Sequence, residues 1–182
     1  MAPTSWRDNA LRVPLSGTTT WQSLGRQMKV TNVVSLSTVA PAEKFTQTQC
    51  EVLIDGNATG LPIAGKVLEA AIQIADDRYL LFTTDDVIFE ESLNVVLIDL
   101  TSGITDRLTL GQQYATGSFA DLRLEGNTAS FRFTGDSLWT ITILMHPALR
   151  LPFSEPAGVS RPMGYKKYLR ISARAQRVGE TF

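Results

Sequence analysis

Residues 119–134 read FADLRLEGNTASFRFT, and this stretch decides the fold class. Apolar and polar residues alternate on both sides of the pair Gly126-Asn127. The apolar positions are Ala120, Leu122 and Leu124 before the pair, and Ala129, Phe131 and Phe133 after it. A period of two is typical of a half-buried strand, and Gly-Asn between two such runs is a turn signal. The stretch therefore predicts an antiparallel β-hairpin.

The same organisation extends outward over residues 67–145. Residues 68–74 and 79–84 are two apolar runs that flank an acidic turn at Asp76-Asp77-Arg78. Residues 93–100 are apolar at nearly every position, which is typical of a strand that is covered on both faces. These runs predict an antiparallel meander with the strand at 93–100 in a central place.

A sheet with one apolar face needs a second layer to cover that face in water. Residues 29–37 and 49–55 supply further strand candidates for such a layer. We therefore predict a mainly β fold, an antiparallel meander forming a β-sandwich or small barrel of roughly eight to ten strands. At most one or two short helices are expected, at residues 21–28 and at the C-terminal residues 164–178. A strand over residues 168–173 is almost equally allowed.

The length and composition predict one β-rich globular domain over residues 1–182, since 182 residues with 43% hydrophobic side chains can bury a substantial core. Residues 1–10 are expected to form a flexible tail. Residues 147–163 contain four prolines and are expected to connect the meander to a basic C-terminal segment.

The charge is divided along the chain. Residues 1–50 carry 5 basic and 2 acidic groups, residues 51–140 carry 5 and 14, and residues 141–182 carry 7 and 2, so the net charges are +3, −9 and +5. This division favours basic ends that fold back across an acidic sheet. Basic and aromatic residues are interleaved at 165–170, a composition that single-stranded nucleic acid accepts. The acidic middle of the same chain is a nearer counter-charge, so a nucleic-acid partner is not expected.

The cellular setting is predicted to be cytoplasmic. Cys50 is the only cysteine, so no internal disulfide can form, and its apolar surroundings predict a buried, inert thiol. The first residues lack the apolar core of a signal peptide, and no run approaches the roughly 18 apolar residues of a membrane span, so no membrane partner is expected.

Catalytic signals are weak throughout. His146 is the sole histidine and precedes a proline at a predicted strand end, where a surface role is commoner than a catalytic one. A hydrolase would need two carboxylates on one concave face, and Glu69 with Asp99 is one such pairing. One cysteine and one histidine make a zinc site improbable, and no phosphate-binding glycine pattern occurs, so no metal and no cofactor are predicted.

The function predicted on these grounds is that of a non-enzymatic protein-interaction domain, such as an adaptor, an accessory component or an inhibitor or immunity-type protein. The sequence does not identify the partner, but an acidic face favours a basic one, and self-association is left open. The partner-binding residues are predicted among the acidic ones near hairpin ends: Asp76, Asp77, Asp85, Asp86, Glu90 and Glu91. The first alternative is a small-molecule-binding β-barrel whose cavity is lined by Phe131, Phe133 and Trp139. The second alternative is a carboxylate-dependent hydrolase.

Overall fold

The structure is a computed structural model that describes residues 27–40, 48–85, 92–111, 117–134, 137–151 and 154–175. These residues contain strands and no helix, which confirms the mainly β prediction. The strands are β1 (Lys29–Val30), β2 (Val34–Ala40), β3 (Gln49–Ile54), β4 (Asn57–Ala64), β5 (Val67–Ala75), β6 (Arg78–Thr84), β7 (Leu93–Asp99), β8 (Gly103–Leu110), β9 (Gly117–Glu125), β10 (Thr128–Thr134), β11 (Ser137–Leu149), β12 (Val159–Ser160) and β13 (Lys166–Ala175).

The strands form three antiparallel sheets. The order is β1-β5-β6-β7-β8-β12 in a six-stranded sheet, β13-β11-β10-β9 in a four-stranded sheet and β2-β3-β4 in a three-stranded sheet. Strands that follow one another in the sequence are neighbours in the sheets, from β5 to β8 in one and from β9 to β11 in another. The predicted antiparallel meander is therefore confirmed.

One core lies between the six-stranded and four-stranded sheets. Phe82, Val95 and Leu97 from the six-stranded sheet pack in one cluster with Phe131 and Ile141 from the four-stranded sheet. Alternate residues of β6 and β7 face this cluster, because successive side chains of a strand point to opposite faces. The six-stranded sheet is therefore covered on this face by the four-stranded sheet.

A second core covers the opposite face of the six-stranded sheet. Val52 and Ile63 of the three-stranded sheet pack with Leu81, Val96 and Ile98 of β6 and β7. Residues 93–98 are buried without interruption, as expected for a strand covered on both faces. The covering sheet has three strands and the covered sheet has six, so the part of this face near β8 and β12 is not covered by the three-stranded sheet.

A β-bulge changes the inward alternation of β9. Arg132 pairs with Ala120 and Ser130 pairs with Arg123, so two residues of β9 lie opposite Phe131. Asp121 takes the extra place with φ at 54°, a left-handed conformation that Asp tolerates better than most residues. The prediction that Ala120 faces inward is wrong: Ala120 is exposed, and the ring of Phe119 packs 5.3 Å from that of Phe131.

The C-terminal basic segment is a strand rather than a helix in the described residues. Lys166–Ala175 forms β13 and pairs with β11 along most of its length. Strand β11 continues to Leu149, so the segment at 147–163 begins inside this strand, and Val159–Ser160 within it pairs with β8. The tail at 1–10 and most of the helix predicted at 21–28 lie outside the described residues.

Candidate functional site

The three predicted partner-binding carboxylates that the structure describes, Asp76, Asp77 and Asp85, do not form one cluster. Asp76 and Asp77 form the turn before β6, whereas Asp85 follows the last residue of β6. The length of this strand, 7 residues at about 3.3 Å each, separates the doublet from Asp85. Asp86, Glu90 and Glu91 lie outside the described residues.

A different acidic group forms around the doublet, and we call it the acidic end: Asp55, Asp76, Asp77 and Asp99. Asp55 lies in the β3–β4 turn, and Asp99 ends β7. The backbone N–H of Leu100 donates to the carbonyl of Asp77 at 2.8 Å, which joins two of the turns. The acidic end therefore combines turns from the three-stranded and six-stranded sheets.

Asp99 is held in place by its own turn. Its Oδ1 accepts the backbone N–H groups of Ser102 at 2.8 Å and Thr101 at 3.0 Å, and Arg78 Nε lies 3.9 Å from Oδ2. The hydrogen bond from the Ser102 backbone, with help from Thr101 and Arg78, lowers the pKa of this carboxyl below 3.8. Asp99 is thus a fixed negative charge at neutral pH.

Tyr79 is a buried residue next to the acidic end, and the carboxylates there affect the pKa of its phenol. Burial raises the pKa of its phenol above 10.0, and the charges of Asp55, Asp76 and Asp77 raise it further. The hydroxyl donates to the carbonyl of Asp76 at 3.3 Å. The hydrogen bond places the phenol at the turn of Asp76 and Asp77, and the charge of Asp55 acts on the same phenol from the β3–β4 turn.

The double variant Asp55→Asn with Asp77→Asn is expected to lower the pKa of Tyr79 toward 10.0 without removing the part due to burial. The matched variant Asp121→Asn with Glu125→Gln changes the net charge equally on β9 and should leave the Tyr79 pKa unchanged. Ultraviolet titration against Tyr79→Phe measures the shift. In the parent protein the free energy of unfolding should fall as pH rises above 10.0, because the unfolded phenol ionises first. A Tyr79 pKa that is the same in both double variants would contradict the grouping.

The aromatic residues of the predicted ligand cavity are core residues. Phe131 is fully buried and its ring lies 5.1 Å from that of Phe82, while Phe133 and Trp139 belong to the same cluster. Their packing is that of side chains filling a core, so it gives the cavity alternative no support.

The hydrolase candidates are also separated. Glu69 lies on β5 and accepts a hydrogen bond from Thr84 Oγ1 at 2.7 Å, at the end of β6 opposite to Arg78 and Asp99. The length of β6 therefore separates Glu69 from Asp99 by about 20 Å, against the 5–10 Å that glycoside hydrolysis needs.

His146 is exposed in an irregular part of β11, where four residues of β11 lie opposite one residue of β13. Cys50 is buried, and its Sγ lies 3.7 Å from Thr38 Oγ1.

A buried ion network, which the sequence analysis missed, joins the six-stranded and four-stranded sheets. Asp106 Oδ1 accepts a hydrogen bond from Arg161 Nη1 at 2.8 Å, and Oδ2 accepts the backbone N–H groups of Tyr168 and Leu169 at 2.7 and 2.8 Å. The side chains of Arg161 and Asp106 are 2% and 8% exposed. Glu155 extends the network, with Oε1 at 3.3 Å from Arg161 Nε and 2.9 Å from Lys167 Nζ. The basic C-terminal part thus folds back on an acid of the middle segment.

The uncovered part of the six-stranded sheet, beside β4 of the three-stranded sheet, contains a pocket of about 340 Å³, which we call the edge groove. Its apolar walls include Ile63 of β4, Val96 of β7 and Pro162. Its polar lining comes from Asn94, Arg107, Thr109, Ser160 and Arg161. A second pocket, of about 330 Å³, shares Ile104, Arg107, Arg161 and Pro162 with it and continues toward Arg150 and Lys166. The edge groove is therefore concave, partly apolar and lined by positive charges.

The hairpin that joins β11 to β13 is rich in exposed apolar side chains. The most exposed are Met145, Leu149, Leu151, Met163 and Tyr165, at 66–103% of their accessible surface. The backbone N–H of Arg150 donates to the carbonyl of Tyr165 at 2.9 Å and so closes the two arms of the hairpin. Apolar surface concentrated in this way is commoner at interaction sites than elsewhere on a monomer.

Comparison of the chain with protein-family models, with curated proteins and with solved structures found no match. Among the described residues, no group of three or more His, Cys, Asp or Glu side chains is placed to hold a metal ion. The part of the chain that the structure describes also has no helix long and apolar enough to cross a membrane.

Proposed function

We propose that this chain is a non-enzymatic protein-interaction domain that binds a basic partner through its acidic end. The observation that carries the proposal is the hydrogen bond at 2.8 Å from the N–H of Leu100 to the carbonyl of Asp77, which joins the turn of Asp76 and Asp77 to the turn after Asp99. The charge of Asp55 acts on the Tyr79 phenol at the same end of the sheets. Electrostatic complementarity between charged patches raises the encounter rate and selects partners.

Rigidity supports the same proposal. Asp76 and Asp77 lie in the short turn between two strands, and Asp99 is fixed by hydrogen bonds to its own turn. Carboxylates on short, hydrogen-bonded turns lose little conformational freedom when a partner binds, so more of the Coulomb attraction remains as affinity. An adaptor, an accessory subunit or an immunity-type inhibitor would each use such a surface.

The exposed apolar hairpin gives the same function a second candidate surface. Its side chains lie on the chain segment that carries the basic residues Arg150 and Lys166. These two residues and Met163 line one pocket with Ile104 of β8. A partner with an apolar and acidic patch would complement this hairpin. Contact of one copy's acidic end with another copy's basic hairpin would produce self-association.

Neutralising the acidic end is expected to weaken partner binding about 10-fold or more, which corresponds to about 1.4 kcal/mol. The parent protein and the variant Asp55→Asn with Asp77→Asn are immobilised and exposed to an extract of the source organism at low and at near-physiological salt. A stoichiometric basic protein should be retained by the parent, lost as salt rises and lost from the variant.

The control for this experiment is Asp121→Asn with Glu125→Gln, which makes the same change in net charge on the outer face of β9. Retention of the partner by this control distinguishes a specific surface from a response to net charge. Equal loss from both double variants, or no salt-sensitive partner at all, would contradict the acidic-end proposal.

A further inference from the structure

Asn94 in the wall of the edge groove is a buried polar group that folding does not explain. It lies in the central strand β7 and is only 4% exposed. Its Oδ1 accepts a hydrogen bond from Thr109 Oγ1 at 2.9 Å, while its Nδ2 has no hydrogen-bond partner among the described residues. A buried donor without a partner costs about 1–3 kcal/mol. The neighbours on the same face of β7, Val96 and Ile98, are apolar, so an apolar residue would suit the fold better at this position.

The charges that line the edge groove point to an anionic ligand. The ionisable side chains of its lining are Arg107 and Arg161, and no acid belongs to it. The Arg161 guanidinium is already neutralised by Asp106, whereas Arg107 is exposed. A guanidinium binds a carboxylate through paired hydrogen bonds, and the amide nitrogen of Asn94 is a further donor.

The pairing of β7 with β8 places Asn94 and Arg107 close to each other on one face of the sheet. Asn94 lies opposite Thr109 and Val96 lies opposite Arg107, so Asn94 and Arg107 are diagonal neighbours on one face. Such neighbours are about 7–8 Å apart at the backbone, which lets the longer arginine side chain and the asparagine amide both reach one bound carboxylate. The walls formed by Ile63, Val96 and Pro162 would contact an apolar group attached to that carboxylate.

We propose that the edge groove binds a small carboxylate with an apolar tail. The carboxylate accepts hydrogen bonds from Asn94 Nδ2 and from the guanidinium of Arg107, and the tail lies against the apolar walls. The volume of about 340 Å³ is at the lower end of the range for small-molecule sites. This site is independent of the acidic end.

The test is a titration of the ¹⁵N-labelled full chain with hexanoate, followed through the side-chain NH₂ signals of Asn94. Saturable shifts of these signals are expected, and the neutral analogue hexanamide should bind at least about 10-fold more weakly because it lacks the charge. Arg107→Gln should weaken hexanoate binding by at least about 10-fold. Arg170→Gln, an equal loss of charge on the exposed face of β13, should leave binding unchanged.

A second variant separates binding from folding. Asn94→Leu removes the unpaired donor and also the acceptor of Thr109 Oγ1, but Thr109 is only partly buried and its hydroxyl can donate to water instead. The variant should therefore abolish hexanoate binding while the midpoint of thermal unfolding stays equal or rises. Asp55→Asn with Asp77→Asn should bind hexanoate as the parent does, so failure of the acidic-end proposal and failure of this one are distinguishable. Absence of saturable shifts at Asn94, equal binding of hexanamide, or equal losses for Arg107→Gln and Arg170→Gln would overturn the carboxylate site.

Discussion

Replacing Asp106 by asparagine is expected to lower the free energy of unfolding by about 3–5 kcal/mol, because it removes the nearer counter-charge of the buried Arg161 guanidinium. Only Glu155 then remains beside Arg161, and Glu155 is shared with Lys167. The amide also has only one acceptor oxygen, whereas Asp106 accepts hydrogen bonds from Arg161 and from the backbone of Arg107, Tyr168 and Leu169. At least one of these donors would lose its partner in the variant. Urea unfolding, followed through the fluorescence of the buried Trp139, measures the loss.

The matched control is Asp121→Asn, which removes a carboxylate from an ion pair on the surface. Asp121 Oδ2 lies 3.2 Å from Arg132 Nε, but its side chain is 59% exposed. Asparagine also tolerates the positive φ of this position. The control should therefore cost at most about 1 kcal/mol. Equal losses for the two variants would show that the Asp106 network stabilises the fold no more than a surface pair does.

Arg161→Met shows how much of the stabilisation depends on the cation rather than on the carboxylate of Asp106. It removes the cation but leaves Asp106 with hydrogen bonds from three backbone N–H groups, which still stabilise the carboxylate. Its cost should therefore be smaller than that of Asp106→Asn. The comparison keeps the prediction testable even if the asparagine variant does not fold.

The strands that alternate strictly were predictable from the sequence. The hairpin of β5 and β6 and the pair β10 and β11 lie where the period of two placed them, and the doubly covered β7 lies where its nearly continuous apolar run placed it. Strand β4 was missed because Asn57–Ala64 contains Gly60 and Pro62 and does not alternate. It lies at the edge of the three-stranded sheet, where a proline is tolerated because one side of the strand needs no ladder hydrogen bond.

The candidate sites were less predictable because they depend on contacts between distant parts of the chain. Asp106 stands in phase with Leu108 and Leu110, and an acid at such an inward position was a signal of a buried ion pair. Its partner Arg161 lies 55 positions later, in a segment that the sequence analysis treated as a connector. The acidic end likewise combines turns of two sheets, and the period of two does not show which turns meet.

Gly65→Ala is expected to lower the free energy of unfolding by about 3–5 kcal/mol, because two separate penalties act at this position. Gly65 has φ at +113°, a conformation that a residue with a Cβ rarely adopts. A Cβ there would also lie 2.5 Å from Thr83 Oγ1 and 2.6 Å from Thr83 Cβ. Thr83 is fully buried, and its hydroxyl donates to the carbonyl of Ala64 at 2.7 Å, so it cannot move aside without losing that hydrogen bond.

Gly60→Ala is the control that separates the two penalties. Gly60 also has a positive φ, at +72°, but a Cβ there meets no atom within 4 Å. Its cost should be about 1–2 kcal/mol, from the backbone conformation alone. Urea unfolding of both variants measures the difference, and a Gly65→Ala variant as stable as Gly60→Ala would contradict the close packing of Thr83 against Gly65. Ala64 lines the edge groove, and its carbonyl accepts the hydrogen bond from Thr83. The position of Thr83, which requires glycine at 65, therefore also fixes one wall of the groove.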